Sequence, residues 1–194
     1  MAEPLTREQI LDTTEQVLRR FGLDKTSVVD VARALGVSHG TLYRHFASKA
    51  ALKEAVAERW LHEVSTPLGK IAGEEGSAFD KVRSWIERLV HIKQSKAKED
   101  PELFAMYNAL AEESVEVITA HIHELIAQLT KIVEEGMKSG EFQKGNAHEQ
   151  AAAIFYATAR FHHPALAKEW ASSHIQEEFK QVWSLITSGL VKKS

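Results

Sequence analysis

An all-α fold is predicted for this 194-residue chain, and three observations predict it. Apolar residues return every three or four positions through most of the chain, the spacing that places them on one face of a helix. Segments with that spacing open on Ser, Thr, Asp or Asn, and several close on Gly, as helix ends require. Prolines number only four, and the alternating valine–isoleucine runs that would mark strands are few. Hydrophobic residues at 44% and charged residues at 26% are ordinary for a globular chain, and this length buries about 70% of the extended-chain surface. The absence of cysteine excludes disulfides, thiolate metal sites, iron–sulfur clusters and cysteine nucleophiles. No run of about 18 apolar residues occurs, so no membrane span is expected. The start, MAEPLTREQ, lacks a basic patch followed by an apolar stretch, so no secretory signal is expected and a cytoplasmic protein is. The net charge of -3 gives no overall sign of a polyanionic partner.

Thr6 opens the first predicted helix with a capping box. Its hydroxyl can accept from the Gln9 amide while the Gln9 side chain reaches back, with Leu5 and Ile10 at the staple positions. Ile10, Leu11, Thr14, Val17, Leu18 and Phe21 make the inner face, and Gly22 stops the helix. Thr26 or Ser27 caps a second helix with Val28, Val31, Ala32 and Leu35 inside. Gly36 breaks it, Val37 is a lone apolar plug, and Ser38 caps a third helix. Two short helices joined by a Gly-containing turn of about three residues make a helix-turn-helix, whose second helix can enter the DNA major groove. Leu42 and Phe46 hold that helix inward, leaving His39, Gly40, Tyr43 and Arg44 to project. Ser48 then opens a segment carrying Leu52, Val56 and Trp60.

These residues closely resemble the DNA-binding head of the TetR/AcrR family of bacterial transcriptional regulators. Thr26-Ser27, Val31-Ala32, Gly36-Val37-Ser38, Gly40, Thr41-Leu42-Tyr43, His45-Phe46 and Ser48-Lys49 carry the likeness, which spans residues from about 6 to 60. Ala51 departs from it, standing where the family often has an acid. The resemblance implies about nine helices: a three-helix head, a connecting helix, and a body that binds a ligand and dimerises. Residues 1–50 would then be the DNA-binding domain, with its motif at 26–45, and residues 51–194 the effector-binding and dimerisation domain.

The chemistry of the head suits that role. Gly40, without a β-carbon, permits close approach to the duplex. Thr41, Tyr43 and His45 offer donors to phosphate oxygens, and Lys49 adds a point charge. Amides near Ser38 can face a phosphate. His39 and Arg44 are the expected base readers, arginine on guanine being the commonest specific contact. Thr26, Ser27 and Arg33 complete the expected DNA-facing set. A core-flanking histidine is the alternative for His45, and ordinary surface charge the alternative for Arg33 and Lys53. Val31 to Lys53 carries Arg33, Arg44, Lys49 and Lys53 and no acid, so the net -3 conceals a local basic face.

Further along, STPLGKIAGEEG at Ser65–Gly76 reads as a linker, with Pro67 and three glycines. Ser77 and Asp80 cap a helix with Val82, Trp85, Ile86, Leu89 and Val90, which dissolves into the polar KQSKAKED. Asp100-Pro101 starts the next helix, with Leu103, Phe104, Met106, Tyr107 and Leu110. Val115 to Ser139 is a long helix with Ile118, Ile122, Leu125, Leu129 and Ile132 along its seam, stopped at Gly140. Asn146 with Glu149 caps an alanine-rich helix that Pro164 ends or kinks. The last helix starts near Ser173 and carries Ile175, Phe179, Val182, Ile186 and Leu190.

The resemblance implies a homodimer built on the last two helices, with Ala151, Phe155, Val182, Ile186 and Leu190 as interface residues; burial within one chain is the alternative. It also implies an effector pocket. The candidates are Trp85, Leu89, His91, Phe104, Tyr107, His121, Ile122, Phe155, Tyr156, Phe161, His162 and His163, which could equally be plain core. His121 lies at the edge of an apolar face, and His123 points nearly opposite. Ten histidines raise the question of metal. Two ligands on one helix stand three or four residues apart, whereas 121 and 123 diverge by about 200° and 162 and 163 by about 100°. No metal and no cofactor are expected.

The leading expectation is a DNA-binding regulator, a homodimeric repressor released from double-stranded operator DNA by a small hydrophobic or aromatic effector. A metal-responsive regulator of the same fold is the alternative. An enzyme is not expected, since no phosphate loop, His-Glu-x-x-His or Gly-x-Ser-x-Gly motif is present. An all-helical enzyme or protein-binding adaptor stands behind these.

Overall fold

The computed structural model describes residues 5–23 and 25–191; residues 1–4, where MAEPLTREQ begins, lie outside them, as do 24 and 192–194. The described residues form 11 helices in an all-α fold. In order these are α1 (Arg7–Phe21), α2 (Val28–Leu35), α3 (His39–Tyr43), α4 (Lys49–Ile71), α5 (Ala78–Glu99), α6 (Pro101–Glu112), α7 (Val115–Ser139), α8 (Ala147–Ala157), α9 (Ala159–His162), a 3-10 helix (Pro164–Ala171) and α10 (Ile175–Leu190). Two compact units divide the chain: Met1–Leu61 with Glu102–Ile118, and His62–Pro101 with Thr119–Ser194.

In the first unit, the Thr6 capping box forms, with Gln9 N donating to Thr6 Oγ1 at 3.2 Å and Thr6 N to Gln9 Oε1 at 2.9 Å. Ile10, Leu11, Val17 and Leu18 bury the inner face of α1, but Phe21 is 47% exposed. It is the last residue of the helix, and the Arg20 guanidinium lies 5.3 Å from its ring. Arg59 ties α4 to α1, donating to Asp12 at 2.6 Å and Glu15 at 2.9 Å. Trp60 stacks on Tyr107 at 5.0 Å and meets Phe104 edge-on at 6.0 Å, which binds α6 to this unit.

In the second unit, Val64, Leu68, Val82, Trp85, Ile86, Leu89, Leu129 and Ile132 form a core closed by Ala151, Ile154 and Trp183. Trp85 Nε1 donates to Gln128 Oε1 at 3.1 Å, and Gln128 Nε2 to the Ser65 carbonyl at 3.2 Å, so one amide joins α5, α7 and α4.

Three boundaries differ from expectation. The expected linker is helical as far as Ile71, with Pro67 inside α4. A mid-helix proline costs about 3 kcal/mol. Val64, Leu68 and Ile71 are buried on the same helix, and at about 1.5–3 kcal/mol each their burial outweighs that penalty. The polar stretch after residue 92 continues α5 to Glu99, because Lys, Gln, Ala and Glu are strong helix formers whatever they face. The alanine-rich helix stops before Pro164, at Ala157. There the Thr158 hydroxyl donates to the Ile154 and Phe155 carbonyls at 2.9 and 3.1 Å, competing with the backbone; Pro164 instead starts the 3-10 helix.

After α7 the chain folds back so that Phe142 N donates to the Gly136 carbonyl at 3.0 Å and the Phe142 ring is almost fully buried. A β-carbon at Gly136 would fall inside that ring's contact surface, with Phe142 Cγ at 2.8 Å. Alanine normally improves a helix interior by up to about 1 kcal/mol over glycine. Here Gly136→Ala is expected to destabilise the protein by about 1–3 kcal/mol through overpacking, read as a lowered midpoint in urea unfolding.

Candidate functional site

The head presents a helix too short to stand alone. Ser27 and Asp30 form a capping box at the start of α2, with Ser27 Oγ donating to Asp30 at 2.5 Å. Gly36 ends α2 in the left-handed region, at φ 66°, where a β-carbon would be strained. Ser38 caps α3, its hydroxyl accepting from Thr41 N at 3.2 Å. Inward, Leu42 and Phe46 are buried and anchor the helix. Outward lie His39, Gly40, Tyr43, Arg44 and Lys49, all exposed, with Thr41 and His45 partly buried. The His39 and Tyr43 rings meet edge-on at 4.8 Å. Arg44 Nη2 donates to the Thr41 hydroxyl at 3.4 Å, and that hydroxyl shares a hydrogen bond with Ser38 at 2.8 Å.

Gly40 has an ordinary helical backbone, and a β-carbon there would meet only Ser38 Oγ, at 3.9 Å. Among the described residues nothing calls for a glycine at this position. Thr26 is a correction: its side chain is buried and its hydroxyl donates to the Gly22 carbonyl at 2.8 Å, so it closes the end of α1 rather than facing outward. Of the four cations between Val31 and Lys53, Lys53 pairs with Glu113 at 2.8 Å and Arg33 with Asp30 at 3.4 Å. Arg44 and Lys49 therefore carry the basic character of this face.

The second unit brings together part of the expected effector set. Trp85, Leu89, His121, Phe155, Phe161 and His162 are buried, and Ile122 is partly buried. The His162 ring lies 4.9 Å from Phe155, and Phe161 meets Phe179 at 5.2 Å. Phe104 and Tyr107 do not join them, since they belong to the first unit with Trp60. His91 is exposed, two residues and so about 200° around α5 from Leu89. Tyr156 is 59% exposed, one position round α8 from Phe155. His163 is exposed, its Nδ1 accepting from Ala165 N at 3.3 Å as a cap of the 3-10 helix. A cleft of about 250 Å³ lies between α5, α9 and α10, lined by Val90, His91, Gln94, Phe161, Ile175 and Phe179 among others.

Lys93 was hidden in the stretch expected to be polar surface; it is 5% exposed. The signal was its spacing, since 85, 89 and 93 share one face of α5. Burial, and then Lys96, pushes its ammonium down to about 8. His121 is pushed down to about 3 by burial, then by Lys93 and His62, and its Nε2 is buried without a hydrogen-bond partner among the described residues. Burial pushes His162 down to about 4, with Lys93 and His163 adding to the effect against the hydrogen bond to the Phe155 carbonyl at 3.3 Å.

The expected dimer residues divide. Ala151, Phe155 and Leu190 are buried in the core of their own chain, and Ile186 packs against it, because the small and apolar face of α8 and α10 turns inward. Val182 is partly buried. The exposed large apolar residues of these helices are Tyr156 and Leu185, at 59% and 76%. No described helix is long and apolar enough to cross a membrane.

A short helix anchored from below, set after a glycine turn at the start of an all-helical chain, defines a helix-turn-helix regulator. The chain belongs to the TetR family of bacterial transcriptional regulators. Residues 10–56 match the family's N-terminal domain, described as bacterial regulatory proteins, tetR family, and residues 78–183 match the tetracyclin repressor-like C-terminal domain. This is a family of DNA-binding regulators, not of enzymes. The transcriptional regulator YvdT of Bacillus subtilis is 39% identical over 69 residues, covering 35% of this chain and 36% of that protein. The chain thus matches about a third of that relative's length. The transcriptional repressor KstR2 of Rhodococcus jostii is 25% identical over 193 residues, covering 95% of this chain and 90% of its own. Among solved structures, SmeT, the repressor of the Stenotrophomonas maltophilia multidrug efflux pump SmeDEF, superposes with a TM-score of 0.70 at 18% identity, covering 98% of this chain and 92% of that one.

Two outcomes follow from the site. Gly40→Ala is expected to keep or raise the thermal midpoint, since alanine favours a helix by up to about 1 kcal/mol, yet to weaken binding to duplex DNA in a gel-shift titration. His121→Leu removes a buried unpaired nitrogen, worth about 1–3 kcal/mol, and should raise the thermal midpoint at pH 7. Below pH 6.5 an unfolded histidine takes up a proton that the folded His121, at about 3, does not; wild-type stability therefore falls from pH 6.5 towards 3. The variant should show a shallower fall in thermal midpoints measured across that range.

Proposed function

We propose that the chain is a homodimeric, ligand-responsive repressor of the cytoplasm. Residues 1–50 would bind operator DNA, and residues 51–194 would bind a small hydrophobic or aromatic effector and dimerise. The observation that carries the DNA-facing assignment is Gly40: exposed on α3, with an ordinary backbone and open space around it, it answers to something outside the chain. Backbone approach to a duplex is such a demand. His39 and Arg44 then read base edges in the major groove, while Ser38, Thr41, Tyr43, His45 and Lys49 contact phosphates. Ser27 and Arg33 lie at the margin.

Two recognition helices on a two-fold dimer suit a palindromic operator. Tyr156, Val182 and Leu185 are the apolar residues of α8 and α10 left for the partner, since Ala151, Phe155 and Leu190 serve the chain's own core. The effector acts by favouring a body conformation that misplaces the heads, and it does so only by binding that conformation more tightly. The buried set around Trp85, Leu89, His121, Phe155, Phe161 and His162 supports a site with an apolar body and few polar groups.

Selection from a random DNA pool should return two inverted half-sites. On that operator, Tyr43→Ala is expected to weaken binding to all sequences alike, whereas Arg44→Ala should relax preference at one base pair at a loss of about 1–3 kcal/mol. Unchanged binding by both variants would remove α3 from the interface.

A further inference from the structure

We infer that the cleft between α5, α9 and α10 binds a small neutral aromatic molecule that carries one N–H or O–H donor. The inference rests on the ligand-responsive reading above and names the site and the chemistry of that ligand. The cleft lies within the second unit and measures about 250 Å³. Sites for drug-sized ligands run from about 300 to 1,000 Å³, so this one suits a single ring or a fused pair. Phe161 belongs both to its lining and to the buried apolar set of this unit, so a molecule held here rests against that interior.

The buried part of the lining is apolar. The Phe161 and Phe179 rings meet edge to face, with centroids 5.2 Å apart and planes at 87°, and Val90 and Ile175 line the same cleft. A third ring is attracted to such a pair by the same edge-to-face or offset contacts, at centroid spacings of about 4.5–7 Å. Phe179 is only partly buried, so a ligand ring covers apolar surface that water otherwise meets.

The polar part of the lining sets the ligand's charge and its donor. Arg83 and Lys180 are each set against an acid of their own helix, Glu87 at 2.8 Å and Glu177 at 3.5 Å, so these cations do not call for a ligand anion. Gln94 donates through Nε2 to the Phe161 carbonyl at 3.1 Å. That bond fixes the amide, whose oxygen accepts from no group among the described residues. An amide oxygen beside aromatic rings is the acceptor that an N–H or O–H on a stacked ring needs. His91, exposed at the rim, is a second hydrogen-bonding group. The cleft also stays open in the proposed dimer. Gln176 and Lys180 line it from α10, and they stand about 180° and 140° around that helix from Leu185. A partner seated on Leu185 leaves this side of α10 uncovered.

The test uses the full chain and matched probes: indole with 1-methylindole, and 2-naphthol with 2-methoxynaphthalene and 2-naphthoate. Thermal shift without DNA, followed by calorimetric titration, gives their relative affinities. At least one donor-bearing probe is expected to bind about fivefold or more tightly than its methylated partner, and 2-naphthol more tightly than 2-naphthoate. Gln94→Leu should abolish the preference for the donor while keeping the methylated probes. Val90→Trp, which fills the cleft from a partly exposed position, should weaken every probe about tenfold or more. It exchanges one apolar side chain for another, so the site is still tested if Gln94→Leu does not fold. No binding by indole or 2-naphthol, equal binding of donor and methylated probes, a preference for 2-naphthoate, a donor preference that survives Gln94→Leu, or binding that survives Val90→Trp would overturn the inference. Failure of the regulator reading looks different: the probes and variants behave as expected, but no sequence from the random pool is retained, or the retained operator is indifferent to a saturating probe.

Discussion

Closing one turn of helix fixes several backbone angles in return for a single hydrogen bond, so isolated helices of fewer than about 12 residues are marginal in water. α3 has five residues. It exists because Leu42 and Phe46 are buried against the first unit, while Ser38 satisfies an amide at its other end. The direction in which His39, Tyr43 and Arg44 project is inherited from those two anchors. Arg7 adds a cation above the Phe46 ring at 4.4 Å, giving the second anchor a cover on its outer side. The outward face of α3 is thus set by an apolar contact on the far side of the same helix.

What was legible in the sequence was mostly local. The capping pairs Thr6 with Gln9 and Asn146 with Glu149 lie three residues apart, and each is satisfied within its own turn. The helix from Val115 to Ser139 was bounded correctly because its seam is long and Gly140 follows at positive φ. The family likeness in the head was legible for the same reason, being a dense run of residues with local roles. Pro67, Thr158 and Lys93 were not. A proline's penalty is visible in the sequence, but the burial of Val64, Leu68 and Ile71 that offsets it depends on α5 and α7. Thr158 looks like any helix threonine until its hydroxyl takes two carbonyls. Lys93 sits among lysines, and only its register with Leu89 separates it from them. Which side of α8 and α10 faces inward was also beyond local reading, since small and apolar residues suit either a partner chain or the chain's own core.

Both units set cations against acids. Arg59 is surrounded by Glu8, Asp12 and Glu15, so its burial beside α1 is compensated on the spot. Arg160 is likewise held by Glu169 at 2.8 Å and Glu178 at 3.1 Å. His121 and His162 are handled otherwise: both stay neutral at pH 7, and keeping them so is less demanding than burying them charged. An interior of this kind sacrifices some stability in acid and retains unspent hydrogen-bonding capacity at neutral pH.

The first unit is assembled from two separated stretches of chain, because Trp60 completes its packing with Phe104 and Tyr107 from α6. The polypeptide leaves that unit after Leu61 and returns at Glu102. No single cut therefore yields an intact first unit. A fragment ending at Leu61 would bare the indole face that Tyr107 covers. Exchange of heads between relatives by recombination would have to carry two pieces of gene, or else leave an aromatic surface open to aggregation. The partition that looks modular along the sequence is interleaved in the fold.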